Sequence, residues 1–405
     1  MTSKIYNDPV YGFIQIPFPV INQLIAHPYV QRLRRIRQLG LTHYVYPGAL
    51  HTRFHHALGA MHLMTQAIAS LRSKDVKISY EEAEAATIAI LLHDSGHGPF
   101  SHALEHSIVS GIHHERISEI IIEALNNEMG GKLELALEIF KNTYSKKFLH
   151  QLVSSQLDMD RLDYLNRDSF FTGVTEGVVS SDRLIKMLDV HNDSLVVEEK
   201  GIYSVENFII ARRLMYWQVY LHKTVLSAEN LLVNILKRAV ELAESGQSLF
   251  ATPALNFFLQ NRISNEDFYN NKEVLTNYIA LDDYDLYAAI KVWMRHSDFV
   301  LSRLSSNIIN RNLYKINIAK VPFEKELIEQ LTNSVCETYK ISKQEAAYFI
   351  FTGTVSNNAY KPNTEQINIL YKNGEVLDIA KASDNLNISV LSEPIVKYYL
   401  CTERY

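Results

Sequence analysis

The stretch that most constrains this chain is residues 90–106, ILLHDSGHGPFSHALEH, where histidines, an aspartate and glycines directly follow an apolar helix end. Twelve of the sixteen histidines fall between His27 and His114, where an even spread would place about three or four. A single histidine of this kind usually satisfies hydrogen bonds in the core. Several neighbouring titratable groups are costly to bury unless a charge organises them. The cluster therefore predicts a site built around a charged group.

The residue types in this region favour a metal ion. His93 and Asp94 stand side by side where a helix is predicted to end, so both side chains can turn toward one point. The segment HTRFHHALGAMHL supplies another histidine, and SQLDMDRLDYLNRD another aspartate. Two imidazoles and two carboxylates suit Mn, Fe, Co or Zn, with Mg as a further candidate. Such an ion activates water or polarises a phosphoryl oxygen. Spacing alone does not choose between His55 and His56.

Composition narrows the class of protein. A chain of 405 residues can form one large domain or two to three ordinary ones, and its net charge of −5 argues against a generally basic nucleic-acid surface. Cys336 and Cys401 form no C-x-x-C pair, which fits a reducing compartment. The first residues lack the layout of a signal peptide, and no apolar run approaches the length of about 18 residues that spans a bilayer. We expect a cytoplasmic protein without a membrane partner.

Helical patterns dominate the first two-thirds of the chain. Ser79 and Glu82 form a capping-box pattern before an apolar run that continues to His93, and Gly96 and Gly98 end it. Helical periodicity also marks HHERISEIIIEALNNEMGG and ISNEDFYNNKEVLTNYIALDDYDLYAAIKVWMRHS. The run SVENFIIARRLMYWQVYLHKTVLSAENLLVNILKRAVELAES is long enough for two consecutive helices. These patterns predict a mainly α fold.

Strand signals are concentrated near the end. SLVVEEKGIYSV is interpreted as a hairpin turning at Lys200 and Gly201, and QINILYKNGEVLDI as one turning at Asn373 and Gly374. The predicted organisation is a helical body over residues 1–320, followed by a small α+β lobe over residues 321–405.

The order H…HD…D resembles the HD superfamily of metal-dependent phosphohydrolases. This resemblance implies an HD-domain helical body with its core motifs at about residues 50–170. An arginine precedes the first ligand by three positions in the family pattern, which selects His56 after Arg53. The implied metal ligands are His56, His93, Asp94 and Asp160.

A narrower resemblance is to deoxynucleoside triphosphate (dNTP) triphosphohydrolases. It covers roughly residues 8–224, and its most specific signal is the run G-H-G-P-F-S-H after the HD pair. The motifs occur in the order NDPVYGFIQIP, VQRLRRIRQLG, YVYPGALHTRFHHALG, HDSGHGPFSH, DMDRLDYLNRD and ARRLMYWQVYLHKTV. Members cleave a dNTP at the α-phosphorus to a deoxynucleoside and inorganic triphosphate.

The resemblance also implies catalytic roles. Besides Asp94, it places His102 near the α-phosphate and the attacking water, and His114 as the acid that protonates the 5′-oxygen. His97 would bind phosphate or support catalysis, and the division of steps among the three histidines stays open. General acid catalysis and clamping of the developing charge are what a poor leaving group on a polyanion requires.

Substrate-binding residues follow from the same resemblance. Arg53, Arg161 and Arg212 would neutralise the triphosphate, and Arg161 stands where relatives have lysine, which keeps the charge but changes the geometry. Gln38 and Asp168 would meet the 3′-hydroxyl. Tyr164 and Tyr220 are expected to pack against the deoxyribose. Tyr216 joins them if one helix at about residues 205–225 carries Arg212, Tyr216 and Tyr220 at spacings of four. Core packing is the alternative for that stripe.

Four arginines, Arg32, Arg34, Arg35 and Arg37, lie in the run RLRRIRQLG. They form either a solvated helix face or a contact to nucleotide or nucleic acid between subunits. The resemblance implies a homo-oligomer, a tetramer or larger, with an effector nucleotide at its interfaces. Ala26 stands where nucleotide-activated relatives carry an acidic residue that reads guanine, so we do not expect activation by GTP.

Two other classes of function remain as alternatives. One is an HD phosphohydrolase acting on a different nucleotide phosphoester. The other is a nucleotide-sensing or nucleic-acid-binding scaffold, whose hallmark would be lost ligands, yet all four are present. Single-stranded nucleic-acid binding as a second activity would show as an affinity that falls steeply with salt.

Overall fold

The computed structural model describes residues 4–100, 111–357, 360–361, 366–384 and 394–403. As predicted, the fold is mainly α with small sheets. The helices up to the second hairpin are α1 (Pro19–Ala26), α2 (Pro28–Gln31), α3 (Arg53–Arg72), α4 (Tyr80–Leu92), α5 (His114–Glu128), α6 (Glu134–Phe140), α7 (Lys147–Val153), α8 (Met159–Thr172) and α9 (Ser181–Met187). Those that follow are α10 (Ile202–Met215), α11 (Lys223–Glu244), α12 (Pro253–Gln260), α13 (Asn265–Asn270), α14 (Lys272–Ala280), α15 (Asp283–Trp293), α16 (Phe299–Ile309), α17 (Lys325–Tyr339), α18 (Lys343–Ala346) and α19 (Ile379–Ala382).

Nine strands form three small sheets in the described part of the chain. The strands are β1 (Ile5–Asp8), β2 (Gly12–Gln15), β3 (Leu188–His191), β4 (Ser194–Glu198), β5 (Lys315–Ala319), β6 (Ile350–Asn357), β7 (Asn368–Leu370), β8 (Val376–Asp378) and β9 (Ile395–Thr402). Their orders are β1-β2, β3-β4-β7-β8 and β5-β9-β6. None of the helices in the described ranges is both long and apolar enough to cross a bilayer.

Helix α3 lies at the centre of the body, because it packs against both α4 and α8. Most of its residues are buried, and the buried positions lie on all faces of the helix, as expected for a helix that is covered on every side. The three helices meet where α3 begins, α4 ends and α8 begins. This meeting point brings the predicted metal ligands together.

Several local predictions are confirmed. The side chain of Ser79 accepts a hydrogen bond from the backbone N–H of Glu82, and the Glu82 carboxylate accepts one from Ser79 at 2.7 Å, so the capping box starts α4. The two predicted consecutive helices are α10 and α11, with a π-helical turn over Tyr216–Tyr220 between them. The long periodic segment before residue 297 divides into α13, α14 and α15.

The predicted hairpin at Lys200 and Gly201 is wrong. The chain turns earlier, at Asn192 and Asp193, whose φ values of +50° and +61° are the left-handed values that a two-residue hairpin turn needs. Asn and Asp tolerate that conformation better than other residues with a side chain. Gly201 lies instead in a short 3₁₀ turn that leads into α10. The second hairpin, β7 and β8 around Gly374 at φ +85°, is confirmed.

The tail is tied to the body by strand pairing. β4 pairs in parallel with β7, and β5 pairs with β9 in antiparallel register from Lys315 opposite Thr402 to Ala319 opposite Tyr398. Two of the three sheets therefore combine strands from both sides of residue 320. The division of the chain at that residue stays a prediction.

Candidate metal centre and substrate cavity

Three side chains from three helices converge at the meeting point of α3, α4 and α8. The Nε2 atoms of His56 and His93 lie 3.4 Å apart, and the Oδ1 of Asp160 lies 3.1 Å from the first and 3.3 Å from the second. The Nδ1–H of His93 donates to the carbonyl of Ile90 at 2.6 Å, which directs its Nε2 into the cluster. The arrangement gathers ligand atoms around one point.

Asp94 lies beside this set of three. Its Oδ1 lies 3.4 Å from the Nε2 of His93 and its Oδ2 lies 3.7 Å from the Nε2 of His56, while Arg53 donates to the same carboxylate. His55 has a different task, since its Nδ1 accepts a hydrogen bond from the backbone N–H of Thr52 and caps α3. Three of the four predicted ligands thus converge, the fourth, Asp94, lies next to both histidines, and His55 does not join them. A donor set of two imidazoles and two carboxylates fits a first-row divalent ion.

The charges of these side chains favour the binding of a cation at the point where they converge. Burial raises the pKa of the Asp160 carboxyl, but hydrogen bonds from His56 and His93 outweigh it and hold that pKa well below its usual range. Burial likewise opposes the charged form of His56, yet hydrogen bonds to Asp160 and Asp163 raise its pKa to about 10. The carboxylates therefore stay ionised, and a cation or protons on the imidazoles must balance them.

A buried layer that the sequence reasoning missed supports His56 from behind. The Nδ1–H of His56 donates to the Oδ2 of Asp163 at 2.7 Å, and Arg167 donates to both oxygens of Asp163 at 2.9 Å. The helical spacing of Asp160, Asp163 and Arg167 on α8 was the available signal, because residues three and four apart share a face. This pairing leaves the Nε2 of His56 facing the cluster.

Two of the predicted catalytic histidines stack on each other. The rings of His97 and His114 lie 3.7 Å apart with an interplanar angle of 17°, and the Nε2 of His97 is 3.4 Å from the Oδ1 of Asp94. Burial and the neighbouring Arg53 lower the pKa of His97 to about 3, so this ring is neutral. A Cβ on Gly96 would overlap the carbonyl of His114, which explains the glycine where this loop meets α5. His102 lies outside the described residues.

The predicted sugar-binding residues also assemble. The hydroxyl of Tyr220 donates to the Oδ2 of Asp168 at 2.8 Å, and the ring of Tyr220 lies 6.1 Å from that of Tyr164 and 5.1 Å from that of Tyr216. The guanidinium of Arg212 lies 5.9 Å from the Tyr216 ring. The expected spacing of four along one α-helix is wrong in detail, because Tyr216–Tyr220 is a π-helical turn. Such turns occur frequently at functional sites.

His51 is a second residue that the sequence reasoning missed. Its Nε2 lies 2.7 Å from the Oδ1 of Asp168, its ring stacks on Phe171, and its carbonyl accepts from the backbone N–H of Gln38 at 3.0 Å. The Oε1 of Gln38 is buried and has no hydrogen-bond partner among the described residues. One buried histidine therefore contacts both residues predicted to meet the 3′-hydroxyl.

A cavity of about 560 Å³ opens beside the predicted metal ligands. Its volume is in the range of small-molecule sites. The residues that line it include His93, Asp94, His114, Arg116, Asp160 and Arg161. A cavity of about 600 Å³ next to Phe250 and Trp293 contains none of the clustered residues. The cavity beside the predicted metal ligands is therefore the candidate active site.

The arginine run does not form one surface. Arg32 is fully buried and donates to the carbonyls of Leu281, Ser95 and His97, so both interpretations of this residue were wrong and its role is structural. Arg35 pairs with Asp282. A contact of Arg34, Arg35 and Arg37 to nucleotide or nucleic acid stays a prediction.

Comparisons with known proteins agree with this geometry. Residues 179–253 match the model of the HD associated region. The crystal structure of a phosphohydrolase from Bacteroides thetaiotaomicron VPI-5482 matches this chain with a TM-score of 0.96. The two sequences are 55% identical, and the match covers 99% of this chain and 100% of that chain. YwfO, an uncharacterized protein of Bacillus subtilis strain 168, is 31% identical over 395 residues, 94% of this chain and 88% of the relative.

Human deoxynucleoside triphosphate triphosphohydrolase SAMHD1 is 30% identical over 266 residues, which cover 55% of this chain and 42% of the relative. The motifs, the converging ligands and these likenesses agree. The chain belongs to the HD superfamily of phosphohydrolases, as a dNTP-triphosphohydrolase-like member.

Proposed function

We propose that the protein is a metal-dependent dNTP triphosphohydrolase that releases a deoxynucleoside and inorganic triphosphate. The observation that carries this proposal is one face of α8. Asp160, Tyr164 and Asp168 stand there at spacings of four, so a predicted metal ligand, an aromatic ring and a carboxylate predicted to bind the 3′-hydroxyl follow each other along about 12 Å of helix. A nucleotide has its reacting phosphate, its sugar ring and its 3′-hydroxyl in the same order.

The ion would be held by His56, His93, Asp94 and Asp160, and Mn, Fe, Co, Zn or Mg would supply charge neutralisation and activation of water. Water adds to the α-phosphorus and the bond from phosphorus to the 5′-oxygen breaks. Arg53, Arg161 and Arg212 offset the negative charge of the triphosphate during this step.

Proton transfer falls to the histidines beside the cluster. His114 would give its proton to the leaving 5′-oxygen, so that the deoxynucleoside departs neutral. His97 has a neutral ring, which suits a role as a hydrogen-bonding support for His114 and for the phosphate. His102 would lie near the α-phosphate and the attacking water.

Preference for a deoxyribose would come from the tyrosine cluster. Tyr164 and Tyr220 would pack on the sugar where a 2′-hydroxyl projects, with Tyr216 beside them. Gln38 and Asp168 would bind the 3′-hydroxyl. A cytoplasmic homo-oligomer, a tetramer or larger, with an effector nucleotide at subunit interfaces is part of the same proposal.

A product assay tests the reaction. Purified protein is incubated with each of the four dNTPs, with pairwise dNTP mixtures and with GTP, in Mn²⁺, Mg²⁺ or EDTA, and the products are separated by chromatography. Deoxynucleoside with intact triphosphate, lost in EDTA and in Asp94→Ala, is the expected result. In H₂¹⁸O the label must enter the triphosphate, because water attacks phosphorus.

Other products would contradict the proposal. Deoxynucleoside monophosphate or diphosphate would move the cleavage site, and ¹⁸O in the nucleoside would show attack at carbon. Inactivity toward all dNTP mixtures, with turnover of a cyclic dinucleotide or of (p)ppGpp, would assign a different nucleotide phosphoester.

A further inference from the structure

A buried series of charged groups connects the N-terminal hairpin of β1 and β2 with the predicted metal ligands. The Nη1 of Arg167 donates to the Oδ2 of Asp8 at 2.8 Å, while its Nε and Nη2 donate to Asp163 at 2.9 Å. Asp163 accepts from the Nδ1–H of His56 at 2.7 Å. Three elements distant in sequence thus form one line of hydrogen bonds.

The series is built for low solvent access. Arg167, Asp163 and His56 are fully buried, and Asp8 is 7% exposed. Gly59 on α3 leaves room for the ion pair, because a Cβ there would overlap both Asp163 and Arg167. Charges buried this deeply are held in place by their partners, so each of them determines the position of the next.

Asp8 is held on its own side as well. Its Oδ1 accepts hydrogen bonds from the backbone N–H groups of Val10 at 2.9 Å and Tyr11 at 3.0 Å, and the Tyr11 ring lies 5.5 Å from the guanidinium of Arg167. The hairpin turn therefore sets where the far end of Arg167 lies.

We infer that Asp8 is a positioning residue for the metal site: through Arg167 and Asp163 it orients the imidazole of His56, with the Nδ1–H on Asp163 and the Nε2 toward the ion. Partners behind a ligating histidine of this kind typically change metal affinity by about 10–100-fold when they are removed. The inference rests on the metal part of the proposed function and is independent of the substrate.

The test is Mn²⁺ affinity of the full-length protein, measured by titration calorimetry. Asp8→Asn keeps an oxygen for the turn and removes the charge that faces Arg167. We expect the Kd for Mn²⁺ to rise about 10-fold. In the Asp163→Asn background, where the line is already broken, adding Asp8→Asn changes the Kd little.

Asp298→Asn is the matched control. Asp298 also pairs with an arginine, Arg238, and its Oδ1 also accepts from a backbone N–H, that of Leu301 at 2.8 Å, but it lies at the start of α16 outside the cluster. A comparable loss of thermal stability without a change in Kd is expected for it. A purely structural role for Asp8 would make the two variants alike, and an unchanged Kd in Asp8→Asn would overturn the inference.

A measurement on the wild type covers the case in which a variant does not fold. Coupling is reciprocal, so Mn²⁺ should slow backbone hydrogen exchange of the hairpin, residues 4–16. Unaltered exchange with the site saturated would overturn the inference. If the wild type binds no divalent ion, the metal site itself is wrong and the inference falls with it. If Mn²⁺ binds tightly but no dNTP is cleaved, only the substrate assignment fails.

Discussion

His97 and His114 stack at 3.7 Å beside Asp94, and the two rings have unequal surroundings. His97 is 5% exposed, and its pKa is lowered to about 3 by burial and by Arg53. His114 lies at the first position of α5 and lines the cavity. The pair thus combines a neutral buried ring with one that reaches the substrate space, which favours His114 as the proton donor.

Replacing His114 by Asn should reduce kcat by about 10²–10⁴-fold, because the leaving oxygen loses its acid. The Kd for Mn²⁺ should stay as in the wild type, since His114 is outside the ligand set. Steady-state kinetics and calorimetry check the two values. His191→Asn on β3 is the control and should keep its activity. Equal losses of kcat and of Mn²⁺ affinity in His114→Asn would point to a disrupted cluster instead.

The neighbouring residues His55 and His56 provide a matched pair for the metal site. Mn²⁺ that binds only the folded state should raise the free energy of unfolding by about 2.7 kcal/mol at a hundredfold excess over Kd. His56→Ala should abolish this gain. His55→Ala should keep it, although loss of the cap on Thr52 should cost about 1 kcal/mol. Thermal unfolding with Mn²⁺ or EDTA measures both effects, and loss of the gain in His55→Ala would contradict the geometry.

Local signals accounted for what the sequence predicted well. The capping box of Ser79 and Glu82, the glycine turn at Gly374 and the helical periods each depend on residues a few positions apart. The hairpin was misplaced because Gly201 is a common turn residue, whereas Asn192 and Asp193 form the left-handed turn. The same local reasoning overlooked the short strands β1 and β2.

The features that the sequence did not predict depend on contacts between residues far apart in the chain. Asp163 meets His56 across 107 positions and His51 meets Asp168 across 117. The spacing on α8 indicates that Asp163 shares a face with Asp160, but no local pattern identifies the distant partner. The choice of His56 over His55 likewise came from resemblance, because adjacent residues differ only in the helix face they occupy. Arg32 was misjudged because a charged run usually faces solvent, yet three backbone carbonyls receive its guanidinium.

Gln38 gives a test of sugar recognition. Its buried Oε1 has no partner among the described residues, as expected for a group that receives a substrate hydroxyl. Gln38→Leu should lower kcat/KM for a dNTP by about 10–100-fold through loss of about 1.5–3 kcal/mol. The 2′,3′-dideoxy analogue lacks that hydroxyl, so the variant should lose little with it. Equal losses with both nucleotides would place the 3′-hydroxyl elsewhere.

His43 gives a prediction for the pH dependence of stability. Burial, and then the guanidinium of Arg37 at 3.2 Å, lower its pKa to about 4. The unfolded chain, with a pKa of about 6.5, therefore binds the proton more readily than the folded state. The contribution of His43 to the free energy of unfolding should therefore rise with pH between about 4 and 6.5 and stay constant above.

His43→Gln removes this titration. Its stability should rise less steeply across that window, by about 1–2 kcal/mol once partial exposure of the ring is allowed for. Urea denaturation at several pH values measures both proteins, and the other histidines cancel in the difference. Stability at pH 7 also depends on whether the new amide reaches the carbonyl of Gly40, which the His43 ring contacts at 3.2 Å, so only the slope is diagnostic. Parallel curves would mean that His43 titrates alike in the folded and unfolded states.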